Sequence, residues 1–298
     1  MSEPQSLPQD AVLVGFDGSD HSRRAVLWAA SEATSSERDL VIVQSYEWSV
    51  SMMGSYDERL RRHASDQVAD MAAKVRASHP DLSVHTQVSE GRADETIPDI
   101  VDASAPRLLV LGASGLGALS RVVLGSTAAA LVRTVRVPIV VVRGEQTTPS
   151  TAPVIAGLDG TAAGDRAVEF AFDFASRHGA PVRVVHVVAG TSHLPPGSPT
   201  VPALPREPLL EEEEGSKPTA DAVALRVERL LEEHPAKDVE TEVVVGQPSG
   251  ALMDAAANAQ LLVVGTHGRG LLDRIILGSV SHAVLYHAPC PVGLLHPR

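Results

Sequence analysis

The sequence predicts an α/β protein built as two tandem doubly wound domains, each a five-stranded parallel sheet with helices on both faces. Three observations carry that expectation. Short apolar runs alternate with stretches of helical periodicity through most of the 298 residues, the alternation expected when helices cover a parallel sheet. The order of these elements is replayed in the second half. A glycine-bearing stretch, GASGLGALSRVVLGS from Gly112 to Ser126, recurs as GTHGRGLLDRIILGS from Gly265 to Ser279 with the same glycine spacing.

In chain order, residues 1–10 are polar and Pro-containing and are expected to form a flexible tail. Ala11–Asp17 is an apolar run closed by an acid, and Ser19 or Asp20 is placed to cap a helix carrying Val26, Ala29, Ala30 and Ala33 at helical spacing. Leu40–Val43 reads as the second strand. Leu60, Ala64, Val68, Met71 and Val75 form one stripe of a long helix that His79-Pro80 stops. Leu82, Val84, Thr86 and Val88 alternate as a third strand, and Gly91 begins another helix toward Asp102. Leu108–Leu111 is a buried fourth strand leading into the glycine stretch, Thr127–Val135 is helical, and Val137–Val142 closes the unit as the fifth strand, with Pro138 tolerated near its start.

The second half repeats the pattern. Val154–Asp159 matches the first strand, and the next helix turns Val168, Ala171, Phe174 and Ala175 inward and stops at Gly179, which suits a left-handed C-terminal position. Val182–Val188 follows as strand, Ala222–Glu233 as the long helix, and Val239, Thr241, Val243 and Val245 as an alternating strand. Leu261–Val264 and Pro291–Leu295 complete the set around a helix at Val280–His287. The implied division is a tail over 1–10, a first domain over 11–144, a polar linker over 145–152 and a second domain over 153–298. Residues 190–217, rich in Pro and ending in a run of Glu, have no counterpart in the first half and read as an exposed loop insertion.

Composition narrows the function classes. Lys and Arg number 25 against 37 Asp and Glu, a net charge of −12, which argues against nucleic acid or an anionic membrane as partner. The single cysteine, Cys290, excludes an intramolecular disulfide and a cysteine-cluster zinc site. The opening MSEPQSLPQD lacks a basic segment followed by an apolar one, so no signal peptide is expected, and no apolar run approaches a bilayer-spanning length. A cytoplasmic protein is expected.

Each glycine stretch leaves a strand and ends in Gly-Ser ahead of a helix. Unpaired N–H groups at a helix start favour an anion. No Gly-Lys pair exists for a Walker loop, and the third glycine of a dinucleotide fingerprint is missing, with Ser120 and Asp273 in its place. The doubled pattern instead resembles the ATP-binding branch of the universal stress protein family, whose mark is Gly, two residues, Gly, nine residues, then Gly-Ser/Thr after the fourth strand, with an Asp ending the first. The resemblance runs from about Ala11 to Arg143 and from about Pro153 to His296.

That resemblance implies a strand order of 3-2-1-4-5 in each domain, with the two fifth strands facing each other as in an internal pseudo-dimer, and leaves a homodimer open. It assigns Gly112, Gly115, Gly125 and Ser126, and again Gly265, Gly268, Gly278 and Ser279, to the phosphate loops. There glycine admits close backbone approach, and the serines are suited to capping their helices, to contacting phosphate, or to both. Thr127 and Val280 would add N–H groups, and Arg269 makes the second loop the more cationic. Asp17 and Asp159 match the acid at the adenosine end; either can equally hold an Asx turn into the following glycine. Gly15 and Gly157 stand beside them, and Ser45 and Val187 fall where the family lines its adenine pocket. His186 reads as a satisfied interior histidine, and no metal site is expected. No catalytic set emerges. The implied function is an ATP-binding regulator (with or without Mg²⁺) of stress response or growth arrest. The alternatives are a scaffold that has lost nucleotide and a slow ATPase.

Overall fold

The computed structural model describes residues 7–47, 55–114, 124–144, 148–189, 220–266 and 277–297. Most of the 1–10 tail, part of the 145–152 linker and all of the 190–217 insertion lie outside them. The first half runs β1 (Val12–Gly15), α1 (Asp20–Ser35), β2 (Leu40–Tyr46), α2 (Ser55–Ser78), β3 (Val84–Glu90), α3 (Ala93–Ser104), β4 (Leu108–Gly112), α4 (Ser126–Thr134) and β5 (Ile139–Val142). The second runs β6 (Val154–Gly157), α5 (Ala162–His178), β7 (Val182–Ala189), α6 (Ala220–Glu233), β8 (Val239–Gly246), α7 (Pro248–Ala255), β9 (Leu261–Gly265), α8 (Ser279–His287) and β10 (Val292–Leu295).

The strands form one ten-stranded sheet in the order β3-β2-β1-β4-β5-β10-β9-β6-β7-β8. Each half has the order 3-2-1-4-5, and every pairing within a half is parallel. The two fifth strands meet antiparallel, Val292 opposite Val141 and Leu294 opposite Ile139. Both are buried throughout, so each gives the other the partner that an edge strand lacks. They are shorter than the apolar runs suggest because Pro138 and Pro291 have no N–H to give. Their carbonyls still accept, from Leu109 at 2.9 Å and from Leu262 at 3.0 Å.

Alternate residues of each strand enter opposite cores, as the two-residue period requires. Val12 and Val14 pack with α1, α2, α5 and α6 on one face, while Leu13 packs with α3, α4, α7 and α8 on the other. Each core runs continuously from one half into the other. Where α1 meets α5, Trp28 stacks on Phe174 at 5.8 Å between ring centroids. One turn further on, the buried carboxylate of Glu32 accepts from Arg177 at 2.7 Å and pairs with His178 Nε2 at 2.8 Å.

The alternation expected along Val239–Val245 is only partly realised. Thr241 is exposed and Val245 is 72% exposed, because β8 is an edge strand and nothing covers the end of its inner face among the described residues. α7 escapes the periodicity reading altogether. Its signals are the Pro at its first turn and the apolar Leu252, its one fully buried residue.

Candidate functional site

In a doubly wound sheet the chain leaves the first strand toward one side and the fourth lies on the other, so a crevice opens at their carboxyl ends. In the second half that crevice is a cavity of about 160 Å³ at the ends of β6, β7 and β9. Gly157, Asp159, Val187, Gly265, Gly278, Ser279 and Val280 line it, so every described residue nominated from the second half faces one space. Leu158, Val185, Pro248, Leu252, Val264 and Ser281 complete the wall and escaped the sequence reading. Their signal was weak: Val185 and Val264 look like any buried strand residue, and α7 had no visible stripe. Gly115, Gly268 and Arg269 lie outside the described residues.

The two aspartates make the same turn. Asp17 Oδ1 accepts from Ser19 N at 2.9 Å, and Asp159 Oδ1 accepts from Thr161 N at 3.0 Å and Thr161 Oγ1 at 2.6 Å. Gly18 (φ 79°) and Gly160 (φ 81°) take the left-handed conformation at its centre. Ser19 and Thr161 then cap α1 and α5 by accepting from Ser22 N and Gly164 N. The carboxylates are therefore fixed in place at the crevice rim by the turn that also starts the helix. Arg226 braces the second turn from α6, with Nε and Nη2 both 2.6 Å from the Asp165 carboxylate and Nη2 3.1 Å from Gly160 O. In the first half Gln67 of α2 holds the corresponding place against Gly18, itself accepting from Gln44 at 2.9 Å.

At the other end of the crevice, α4 and α8 begin identically. Gly125 N donates to Ala113 O at 2.7 Å and Gly278 N to Thr266 O at 2.9 Å. Both glycines are the N-caps, at φ −63°, ψ 150° for Gly125 and φ −59°, ψ 155° for Gly278, and neither makes a side-chain cap bond. This corrects the expectation that Ser126 and Ser279 cap their helices. They occupy the first helical position instead, beside Thr127 and Val280, so among the described residues no N-cap side chain consumes the first-turn N–H groups. Neither first turn carries an acid, which leaves the positive end of each helix uncompensated by its own residues.

At Gly112 and Gly265 the structure itself leaves no room for a Cβ. A Cβ on Gly112 would stand 2.9 Å from the His21 carbonyl carbon, and one on Gly265 would stand 2.8 Å from that of Ala163. Neither has positive φ. The requirement comes from α1 and α5 pressing on the strand ends. Ser281 adds a tie special to the second half, its hydroxyl donating to Gly265 O at 2.5 Å. His186 is an interior histidine with Nδ1 2.7 Å from Leu158 O. Among the described residues no cluster of three or more His, Cys, Asp or Glu is placed to hold a metal ion, and no helix is long and apolar enough to cross a membrane.

What the crevice can do follows from its two ends. Val185, Val187, Leu252 and Val264 offer an apolar slot to a flat group, and Asp159 stands at its rim for hydroxyl donors. The start of α8 suits an anion.

Comparison with known proteins agrees with the duplication. The model of the universal stress protein family matches twice, over residues 10–143 and 151–296. A universal stress protein of Mycolicibacterium smegmatis is 34% identical over 312 residues, covering 99% of both chains. One from Mycobacterium tuberculosis is 32% identical over 304 residues, covering 98% of both. Among solved structures, a universal stress protein from Archaeoglobus fulgidus superposes with a TM-score of 0.70 at 18% identity, covering 98% of this chain and all of that one, which speaks to the fold alone. With the glycine stretch, the Asp turn and the 3-2-1-4-5 sheet each present in both halves, the chain belongs to the universal stress protein family, as a tandem member carrying two copies of its domain.

Proposed function

We propose that the protein is an ATP-binding regulator of stress response or growth arrest, acting as a nucleotide-dependent binding protein in the cytoplasm and not as a dedicated enzyme. The observation that carries this reading is the convergence of Gly157, Asp159, Val187, Gly265, Gly278, Ser279 and Val280 on one cavity, although they come from four separated segments. An adenine ring suits the slot between Val187 and Leu252, the ribose hydroxyls suit Asp159, and the phosphates suit the N–H groups that open α8. A magnesium ion, when present, would be carried by the phosphate oxygens. The halves, joined through β5 and β10, would act as an internal pseudo-dimer in which nucleotide alters shape or partner choice; a further homodimer of the chain is compatible with this arrangement.

The test is direct. Protein purified without added nucleotide is heat-denatured, and the supernatant is separated by chromatography. ATP released from the protein is the expected result. Adding ATP and Mg²⁺ to emptied protein should raise the melting temperature, since a ligand at one hundred times its Kd stabilises by about 2.7 kcal/mol. Neither released nucleotide nor a thermal shift would leave a scaffold as the better reading. Steady accumulation of ADP would make it a slow ATPase.

A further inference from the structure

The two halves do not place the same side chains around their crevices, and one pair differs in its hydrogen bonding. Strand register fixes the correspondence: Ser45 pairs with Ser89 as Val187 pairs with Val244. Seven residues beyond Ser89 and Val244 stand Thr96 and Ala251. The next residues confirm the match in space, since Ile97 approaches Gly15 as Leu252 approaches Gly157. In the second half Val187 lines the open slot and Ala251 has no hydroxyl to offer it. In the first half Ser45 Oγ and Thr96 Oγ1 lie 2.7 Å apart and bond to each other, both partly buried. That bond ties the end of β2 to α3 at the position that Val187 occupies in the wall of the second cavity, so a base seated against Ser45 as against Val187 would compete with it. Breaking a satisfied, partly buried hydroxyl pair for an apolar contact is unfavourable.

The helices that follow β3 and β8 differ in charge in the same sense. The first turn of α3 carries Asp94 and Glu95, which share Arg92 at 2.8 and 3.6 Å. The first turn of α7 carries no acid. The first half thus carries two acids and one arginine at a helix start where the second half is uncharged, which disfavours a polyanion nearby.

We propose that the chain has one working nucleotide seat, in the second half, and that the Ser45–Thr96 pair closes the first against the base. This rests on the ATP-binding reading above. Equilibrium dialysis with ATP on the full chain should give one nucleotide per chain, and photo-crosslinking with 8-azido-ATP should label peptides of the second half. Gly278→Glu, which puts a carboxylate at the start of α8, should abolish binding. The double variant Ser45→Val/Thr96→Ala, which gives the first half the residues of the second at these two positions, should bind two. Two nucleotides on the wild type, or labelling confined to the first half, would overturn the inference while leaving ATP binding intact. Failure of the double variant to gain a site would overturn the assignment to this pair. No binding by the wild type would instead overturn the ATP reading itself.

Discussion

At Gly265 the backbone of α5 comes so close that an added Cβ would stand 2.8 Å from both the carbonyl carbon and the Cβ of Ala163 and 3.0 Å from Gly164 N. Backbone cannot swing aside as a side chain can, so Gly265→Ala should cost about 1–3 kcal/mol, the usual penalty of overpacking, read as a lowered urea midpoint. Gly250 offers the opposite case. It sits inside α7, where an added Cβ meets nothing within 4 Å. Gly250→Ala should therefore stabilise by about 0.4–1 kcal/mol through the unfolded chain. The pair separates steric from conformational reasons for glycine. Glycine at 112 and 265 was legible from the repeat, but this steric demand was not, because it comes from helices about ninety and about a hundred residues away in sequence.

Elements in this chain begin where a turn and a cap are the same few residues. Asp159-Gly160-Thr161 bends the chain, aims a carboxylate at the crevice and starts α5, with Thr161 Oγ1 accepting from Gly164 N at 3.1 Å. Thr161→Ala should cost about 0.5–2 kcal/mol of stability for the lost cap, and should also loosen Asp159, which accepts from that hydroxyl. Asp159→Asn, which can still accept at Oδ1, should keep stability closer to wild type. Thermal unfolding of the two variants checks the order. Most elements were readable because their apolar spacing reports the face they bury. α7 was not readable: one buried leucine does not make a stripe, and the helix depends on the wall it packs against. The capping roles of Ser126 and Ser279 were misread because Gly-Ser leaves two residues able to cap, and the choice fell to the backbone bond from each glycine N–H to the strand end.

Across the whole molecule, the halves are held by a buried polar knot on one face and a continuous sheet between the faces. Glu32 is almost wholly buried and answers both Arg177 and His178. Glu32→Ala leaves those donors facing each other without their acceptor, and should cost about 3–5 kcal/mol in chemical denaturation. The junction also buries Cys290, whose thiol is pushed up to about 12 by burial, with the neighbouring Arg143 opposing. Burial likewise holds the Arg143 guanidinium below its ordinary value, and its Nη1 donates across the halves to Ala288 O at 3.0 Å. The folded chain thus grips the Cys290 proton more tightly than the unfolded chain does. That contribution is complete below the ordinary thiol value of 9.0 and is lost as pH rises from there toward about 12. Urea midpoints should fall over this alkaline range in the wild type and fall less in Cys290→Ala. At neutral pH the thiol should resist alkylation until the protein unfolds.

The sequence by itself determined the duplication, all the strands and every helix but α7, because periodicity and glycine spacing are local records of burial and of backbone geometry; seven of the residues that gather at the second crevice followed from the family resemblance. Only the tertiary structure decided that the halves share one sheet, that α1 and α5 press on Gly112 and Gly265, and that Ser45 meets Thr96 where Val187 meets open space. Those outcomes depend on which distant segments are brought side by side, and a one-dimensional pattern holds no distance between them.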